Sequence, residues 1–249
     1  MPQLFNAATN SYARGSLMAF ASLPVLAILV GMTLSRHSPN TRQNIPLEQP
    51  VPFSHKHHTI ELGIDCRYCH TSVETAADAG MPSTETCMSC HQHIWTNSPL
   101  LDPVRQSYAE NKPIVWTQLN KVPEFVYFNH SVHINKGVSC NQCHGAIQDM
   151  QIAYKSRTLF MSWCLECHRE PEKYMYADPA NKELSPREQV FNLYVKYQKD
   201  ASRHSLSGME MNLIKGAEQH ALSTKEGREL VKARGIKKEQ LTDCWICHR

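Results

Sequence analysis

Residues 128–144 read FNHSVHINKGVSCNQCH, and the reading of the last five, Cys140-Asn141-Gln142-Cys143-His144, decides the fold. Working outward, the same Cys-x-x-Cys-His spacing recurs at Cys66/Cys69/His70, Cys87/Cys90/His91, Cys164/Cys167/His168 and Cys244/Cys247/His248. These five copies use all 10 cysteines of the chain. Two thiols on one helical turn, followed at once by an imidazole, are the attachment signal for c-type haem. The thiols form thioethers with the haem vinyl groups, and the histidine reaches the iron as its proximal ligand. Structural zinc also uses paired Cys-x-x-Cys halves, but it needs no histidine directly after the second cysteine. Nor do five halves pair off into tetrahedral sites. A disulfide framework would leave the histidines unexplained. The implied cofactor is heme c, five groups, covalently attached.

Composition agrees with a chain that wraps cofactors. Among 249 residues, 26 Lys and Arg oppose 23 Asp and Glu, a net charge of +3 too weak and dispersed for a nucleic-acid partner. The excess is histidine, 14 in all, and five low-spin haems would ask for up to five axial ligands beyond the proximal ones. The expected fold class is mostly α and irregular, with no substantial sheet and one N-terminal transmembrane helix. That helix is read from Leu17 to Leu34, apolar apart from Ser22 and Thr33 and interrupted by Pro24. Eighteen helical residues span about 27 Å, close to the hydrocarbon core of a bilayer. The run continues through Gly31-Met32-Thr33-Leu34 with no Ala-x-Ala cut site, which favours a retained signal anchor over a cleaved signal peptide. Arg14 precedes the span and Arg36 and Arg42 follow it, so basic residues do not set the orientation. Thioether attachment, which takes place outside the bacterial cytoplasmic membrane, does. The expected organisation is a cytoplasmic N-terminus over 1–15, a transmembrane anchor over 16–35, a proline-rich linker over 36–52 and a periplasmic haem domain over 53–249. The chain is thus expected as a single-pass protein of the bacterial inner membrane.

The haem domain carries an internal repeat. Phe53-Ser54-His55-Lys56-His57-His58, then Gly63-Ile64-Asp65-Cys66, parallels Phe128-Asn129-His130-Ser131-Val132-His133, then Gly137-Val138-Ser139-Cys140, with one residue of difference between. A second attachment site follows each copy, which predicts two related dihaem units, 53–127 and 128–170, and a fifth-haem extension over 171–249. Histidines three apart share a helix face, so His55, His58, His130 and His133 are the expected distal ligands. The first of each pair would serve the haem that follows it, and the second would reach a neighbouring unit. His37, His57 and His93 lack the repeated context. For the fifth distal ligand the candidates are Met150, Met161, His204 and His220, with Met209 also available; a methionine would raise the potential of that haem. Trp95, Trp116, Trp163 and Trp245 are read as packing on porphyrin faces. In the extension, Ser185-Pro186-Arg187-Glu188 predicts a capped helix start, and Ser223 to Glu226 another for a helix ending at Gly235; both helices are expected to brace the fifth haem.

Irons with two protein ligands have no open position for substrate, so the residues favour an electron wire over a catalyst, and no module for a haem sensor is present. No catalytic residue is assigned. The repeats, together with Pro82-Ser83-Thr84-Glu85-Thr86-Cys87-Met88-Ser89-Cys90-His91 and Met161-Ser162-Trp163-Cys164-Leu165-Glu166-Cys167-His168-Arg169, resemble class III multihaem cytochromes. With five sites and one anchor, the whole length is similar to the pentahaem subunit of bacterial alternative complex III. That resemblance implies an electron-transfer subunit of a quinol:electron-acceptor oxidoreductase, passing electrons toward a periplasmic cytochrome c, a copper protein or a terminal oxidase. It also implies partners: an iron–sulfur subunit, integral subunits that oxidise menaquinol, and a monohaem cytochrome subunit. The alternative is a membrane-anchored multihaem quinol dehydrogenase feeding a periplasmic reductase. Members of that class often place a methionine two residues after a proximal histidine, where this chain has Ser72, His93, Ala146 and Glu170.

Overall fold

The computed structural model describes residues 6, 8–199, 206–216 and 224–248. The chain divides into two compact units, Met1–Ile45 and Pro46–Arg249. In the first, helix α1 (Ala8–Arg36) contains the apolar run and Pro24, and its described side chains are exposed apart from Thr9, half-buried near its start. Its 29 residues extend about 43 Å, longer than a hydrocarbon core. Its hydroxyls are satisfied internally: Ser16, Ser22, Thr33 and Ser35 donate to the carbonyls of Ala13, Ala19, Val30 and Met32. A bilayer demands such pairing, because no water is available there. A single turn, α2 (Ser38–Thr41), follows.

The second unit is short helices and irregular chain: a π-helix at Lys56–Glu61, then α3 (Cys66–Cys69), α4 (Thr84–His91), α5 (Asp102–Glu110), α6 (His130–Asn135), α7 (Cys140–His144), α8 (Met161–Arg169), α9 (Pro186–Lys199), α10 (Gly208–Ile214), α11 (Thr224–Ala233) and α12 (Cys244–Cys247). Among the described residues the only β pairing is one antiparallel bridge, Pro46 to Tyr154. The stretch read as linker therefore joins this body early. Val51 is buried with Leu101 and Val104, and Gln49 exchanges hydrogen bonds with the backbone of Thr117.

The main apolar core is organised by α9. Val190, Phe191, Leu193, Tyr194 and Tyr197 are buried with Ile134, Tyr176, Leu213 and Ile214, and Cys66 and Cys140 pack against this cluster. Each fully buried aliphatic side chain contributes about 1.5–3 kcal/mol. The helix begins as its sequence foretells, with Glu188 accepting from the Ser185 backbone N–H at 3.0 Å and its own N–H donating to Ser185 Oγ. It does not brace the fifth attachment site, however: its core lies under the first and third. The start of α11 at Ser223 lies outside the described residues. That helix packs on the turn Pro171–Lys173 and ends, as expected, before Gly235, which takes φ +60°. A second capping box, Ser207 with Glu210, opens α10 and was not foreseen.

Candidate haem sites

Each Cys-x-x-Cys sits on one helical turn, so both sulphurs face the same way and the histidine follows at the turn's end. None of the ten cysteines is joined to another in a disulfide. Among the described residues no three His, Cys, Asp or Glu side chains converge on one point, so tetrahedral zinc has no ligand cage.

The two copies of the repeat build the same three-ring module. Phe53 meets His55 edge-on (5.0 Å between centroids, 88°) and stacks on His58 (4.3 Å, 24°); Phe128 meets His130 edge-on (4.8 Å, 88°) and stacks on His133 (4.6 Å, 26°). The phenyl ring thus turns the two imidazoles in different directions instead of letting them lie parallel. In both copies the second histidine donates Nδ1–H to the carbonyl four residues back, Ser54 or Asn129. Gly63 and Gly137, at φ +69° and +80°, then reverse the chain into the attachment turn. The one-residue difference falls between these landmarks. The first copy absorbs it as a π-helix, with the Leu62 N–H donating to the His57 carbonyl, where the second copy has the α-helix α6.

Three imidazole pairs face one another. His58 faces His91 at 6.3 Å between centroids, His130 faces His144 at 6.4 Å, and His133 faces His168 at 6.2 Å. Metal–imidazole bonds of about 2.0 Å on both sides of one ion put coaxial ring centroids about 6.3 Å apart. The residues therefore fit an iron between each pair. His55 lies near His70. Burial first, and then the imidazoles of His70, His144 and His58, hold its pKa down at about 4, and its buried Nδ1 has no hydrogen-bond partner. His144 is likewise held at about 4 by burial, then His130 and His70. Neutral imidazoles are what a metal takes. The second histidine of each pair thus turns to the second attachment site of its own half, not to a neighbouring unit.

The tautomers are fixed from behind. His70 Nδ1 donates to the Gly80 carbonyl (2.7 Å), His91 to Ile94, His168 to Leu241 (2.8 Å), His248 to Phe125 and His130 to Ala77 (2.8 Å). A carbonyl only accepts, so each Nδ1 carries the proton and Nε2 keeps its lone pair for a metal. At His144 the partner is the Asn120 amide, Nδ2 at 3.1 Å, while Asn120 Oδ1 is buried without a partner. With the amide O and N exchanged, Asn120 Oδ1 accepts from His144 Nδ1–H, which gives His144 the same tautomer.

Among the described residues no histidine faces His248, whose ring lies against Phe125 at 5.7 Å. Of the candidates opposite it, Met150 is buried with its methyl toward Gly145, in the third site's turn, and Met161 is exposed at the start of α8. His204 and His220 lie outside the described residues, and Met209 packs on the α9 core. Trp116 packs on the cluster of Val51, Leu101 and Val104, as do Cys87 and Met88, Trp245 is exposed, and Trp95 stacks on His57 (5.7 Å, 17°).

The attachment turns form a line. Burial, then Cys87, pushes the Cys69 thiol up; burial, then Cys140, does the same at Cys66. Burial and Cys167 push Cys143 up to about 12, and burial and Cys247 raise Cys164. These pairwise neighbours link the turns in the order second, first, third, fourth, fifth. The fifth turn is pinned by the Tyr127 N–H donating to the Cys247 carbonyl at 2.8 Å.

Two family models match the chain: Class III cytochrome C family over residues 32–101, and Cytochrome c7 and related cytochrome c over residues 126–187. The chain is similar to the multiheme cytochrome c subunit of menaquinone reductase from Nitratidesulfovibrio vulgaris (strain Hildenborough), 30% identical over 142 residues, covering 49% of this chain and 68% of that protein.

Proposed function

The chain belongs to the class III multihaem cytochromes c, which carry electrons on covalently bound haem, and from that premise we propose that it is the membrane-anchored electron relay of a quinone-linked oxidoreductase complex. The observation that carries the reading is the three facing histidine pairs at 6.2–6.4 Å. Two protein ligands per iron leave no place for substrate, so these sites transfer electrons and do not bind reactants. Haem, when bound, supplies one-electron chemistry. The residues of the chain set the ligands, hold the tautomers and fix the spacing.

In this reading His55 pairs with His70, His58 with His91, His130 with His144 and His133 with His168, and His248 holds the fifth haem. Residues 53–127 and 128–170 form two dihaem units, with 171–249 carrying the fifth site. Similarity to a menaquinone reductase subunit favours a membrane-anchored multihaem quinol dehydrogenase feeding a periplasmic reductase over the pentahaem subunit of alternative complex III. The implied partners are integral quinone-reactive subunits and an iron–sulfur subunit. Helix α1 supports the anchor, and the c-type attachment motifs support the periplasmic placement of the rest.

Purification of the full chain from its own membranes tests this. The expected result is five thioether-linked haems by mass, low-spin reduced spectra, copurifying membrane subunits and haem oxidation or reduction on adding a menaquinone analogue of matching redox state. Rapid carbon monoxide binding at several haems, or indifference to quinone, would overturn it.

A further inference from the structure

We propose that Tyr194 is a positioning residue that sets electron exchange between the two halves of the line by holding the attachment turns of Cys66 and Cys140 at a fixed separation. This rests on the electron-relay reading above. The residues concerned form one stripe of α9, because Arg187, Phe191 and Tyr194 are four and three apart. Arg187 reaches both halves, Glu74 at 3.6 Å and Asn135 Oδ1 at 3.2 Å. Phe191 lies under the Arg67 guanidinium, 4.2 Å from its centroid, and Arg67 grips Asp65 beside Cys66 with two bonds of 2.9 and 2.8 Å. The Tyr194 hydroxyl donates to Asn141 Oδ1 at 2.5 Å, one residue from Cys140. Cys66 and Cys140 pack against the same core that buries Phe191 and Tyr194.

Asn141 cannot turn away. Its Nδ2 donates to Gln148 Oε1 (2.8 Å) and to the Ile214 carbonyl (2.7 Å), which aims Oδ1 at the phenol. A core that needed only volume would use leucine here and avoid burying three polar side chains. A satisfied buried network instead fixes one register, and Tyr194 supplies a rigid ring of set thickness between two turns that come from different repeats. The exchange involves one electron at a time, one half oxidised as the other is reduced, with no bond or proton transferred by Tyr194.

The test uses the full chain in detergent, with a ruthenium photoreductant on L100C, an exposed position next to the Leu101 that packs on Cys87 and Met88. Electrons then enter at the second site, and freeze-quench EPR follows their arrival in the second half. Tyr194→Leu is expected to slow arrival about tenfold, since small misplacements are costly to rate. Tyr194→Phe, which keeps the ring but loses the bond to Asn141, should slow arrival less than Tyr194→Leu. Met175→Ala, buried but outside the cluster on which both turns pack, should destabilise without slowing. Arrival at the wild-type rate in Tyr194→Leu, or equal slowing in Met175→Ala, would overturn the proposal. If Tyr194→Leu does not accumulate with five haems, Tyr194→Met carries the same expectation. Failure of the relay reading would show separately, as missing thioether haems or carbon monoxide binding in the unmutated chain.

Discussion

An imidazole whose Nδ1 proton is given to a carbonyl has one lone pair left, and the direction of that carbonyl decides where it points. The three facing pairs share nearly the same separation but differ in twist: 64° between His58 and His91, 8° between His130 and His144, 25° between His133 and His168. Near-parallel imidazole planes split the iron d orbitals strongly and give a rhombic low-spin EPR spectrum, whereas strongly crossed planes give a large-gmax signal. The second site should therefore show the large-gmax signal and the third and fourth the rhombic one. His130→Ala should leave covalent haem at five, convert one rhombic signal to high spin and spare the large-gmax signal; loss of the latter instead would reassign His130. The motif cysteines, their histidines and the paired histidines were legible as residue types at meaningful spacing. The partner of each second histidine was not. It depends on the phenyl ring that turns the two imidazoles apart, a geometry that spacing along a helix does not contain.

Elements show where local sequence stops deciding. The repeat was visible, but its one-residue mismatch had no reading until the first copy appeared as a π-helix, in which the surplus residue widens one turn and leaves the histidines and Gly63 in place. Deleting exposed Glu61 should convert Lys56–Glu61 to an α-turn like α6, with all five haems kept and the spectra of the first two sites unchanged. High-spin haem in that variant would show that the π-turn itself aims His55 or His58. The capped start of α9 was legible; its place under the first and third sites was not, because its partners Arg67, Glu74 and Asn135 lie far away in the chain. Lys196 and Asn192 of the same helix hold a buried carboxylate from outside it, Asp178. Burial would raise the Asp178 carboxyl, but Lys196, Asn181, the Ala180 N–H and Asn192 outweigh it and hold its pKa at about 2. A carboxyl depressed on folding stabilises the fold above its unfolded pKa of about 3.9, and that stability is lost as pH falls toward about 2. Thermal melts of Asp178→Asn should show about 1–3 kcal/mol less stability at neutral pH and a shallower loss between pH 4 and pH 2 than wild type. Parallel acid profiles would place the acid sensitivity elsewhere.

For the whole molecule, a line of attachment turns in the order second, first, third, fourth, fifth has two distinct ends. One is set by Trp95 and His91, the other by Trp245 and His248. Sequence order alone would have put the first site at one end. What moves it inward is the contact between repeats, with the His130 and Ser131 N–H groups donating to the Ala77 and Ala76 carbonyls at 3.1 and 3.2 Å and Asn135 Nδ2 donating to Glu74. These bonds, like the ring pairs and the α9 core, all lie within Pro46–Arg249. Among the described residues the bonds that orient these histidines come from Pro46–Arg249 itself, while α1 has a large apolar surface and satisfies Ser16, Ser22, Thr33 and Ser35 along its own helix. The anchor and the haem-bearing body should therefore be separable. Residues 46–249, exported behind a cleavable leader so that thioether attachment can occur, should accumulate as a water-soluble protein. It should carry five covalent haems and the same EPR signals and midpoint potentials as the full chain, and lose both membrane association and reduction or oxidation by the quinone pool. A truncated protein that still sediments with membranes would assign the anchoring to the body, and one with altered potentials would show that α1 shapes the haem sites.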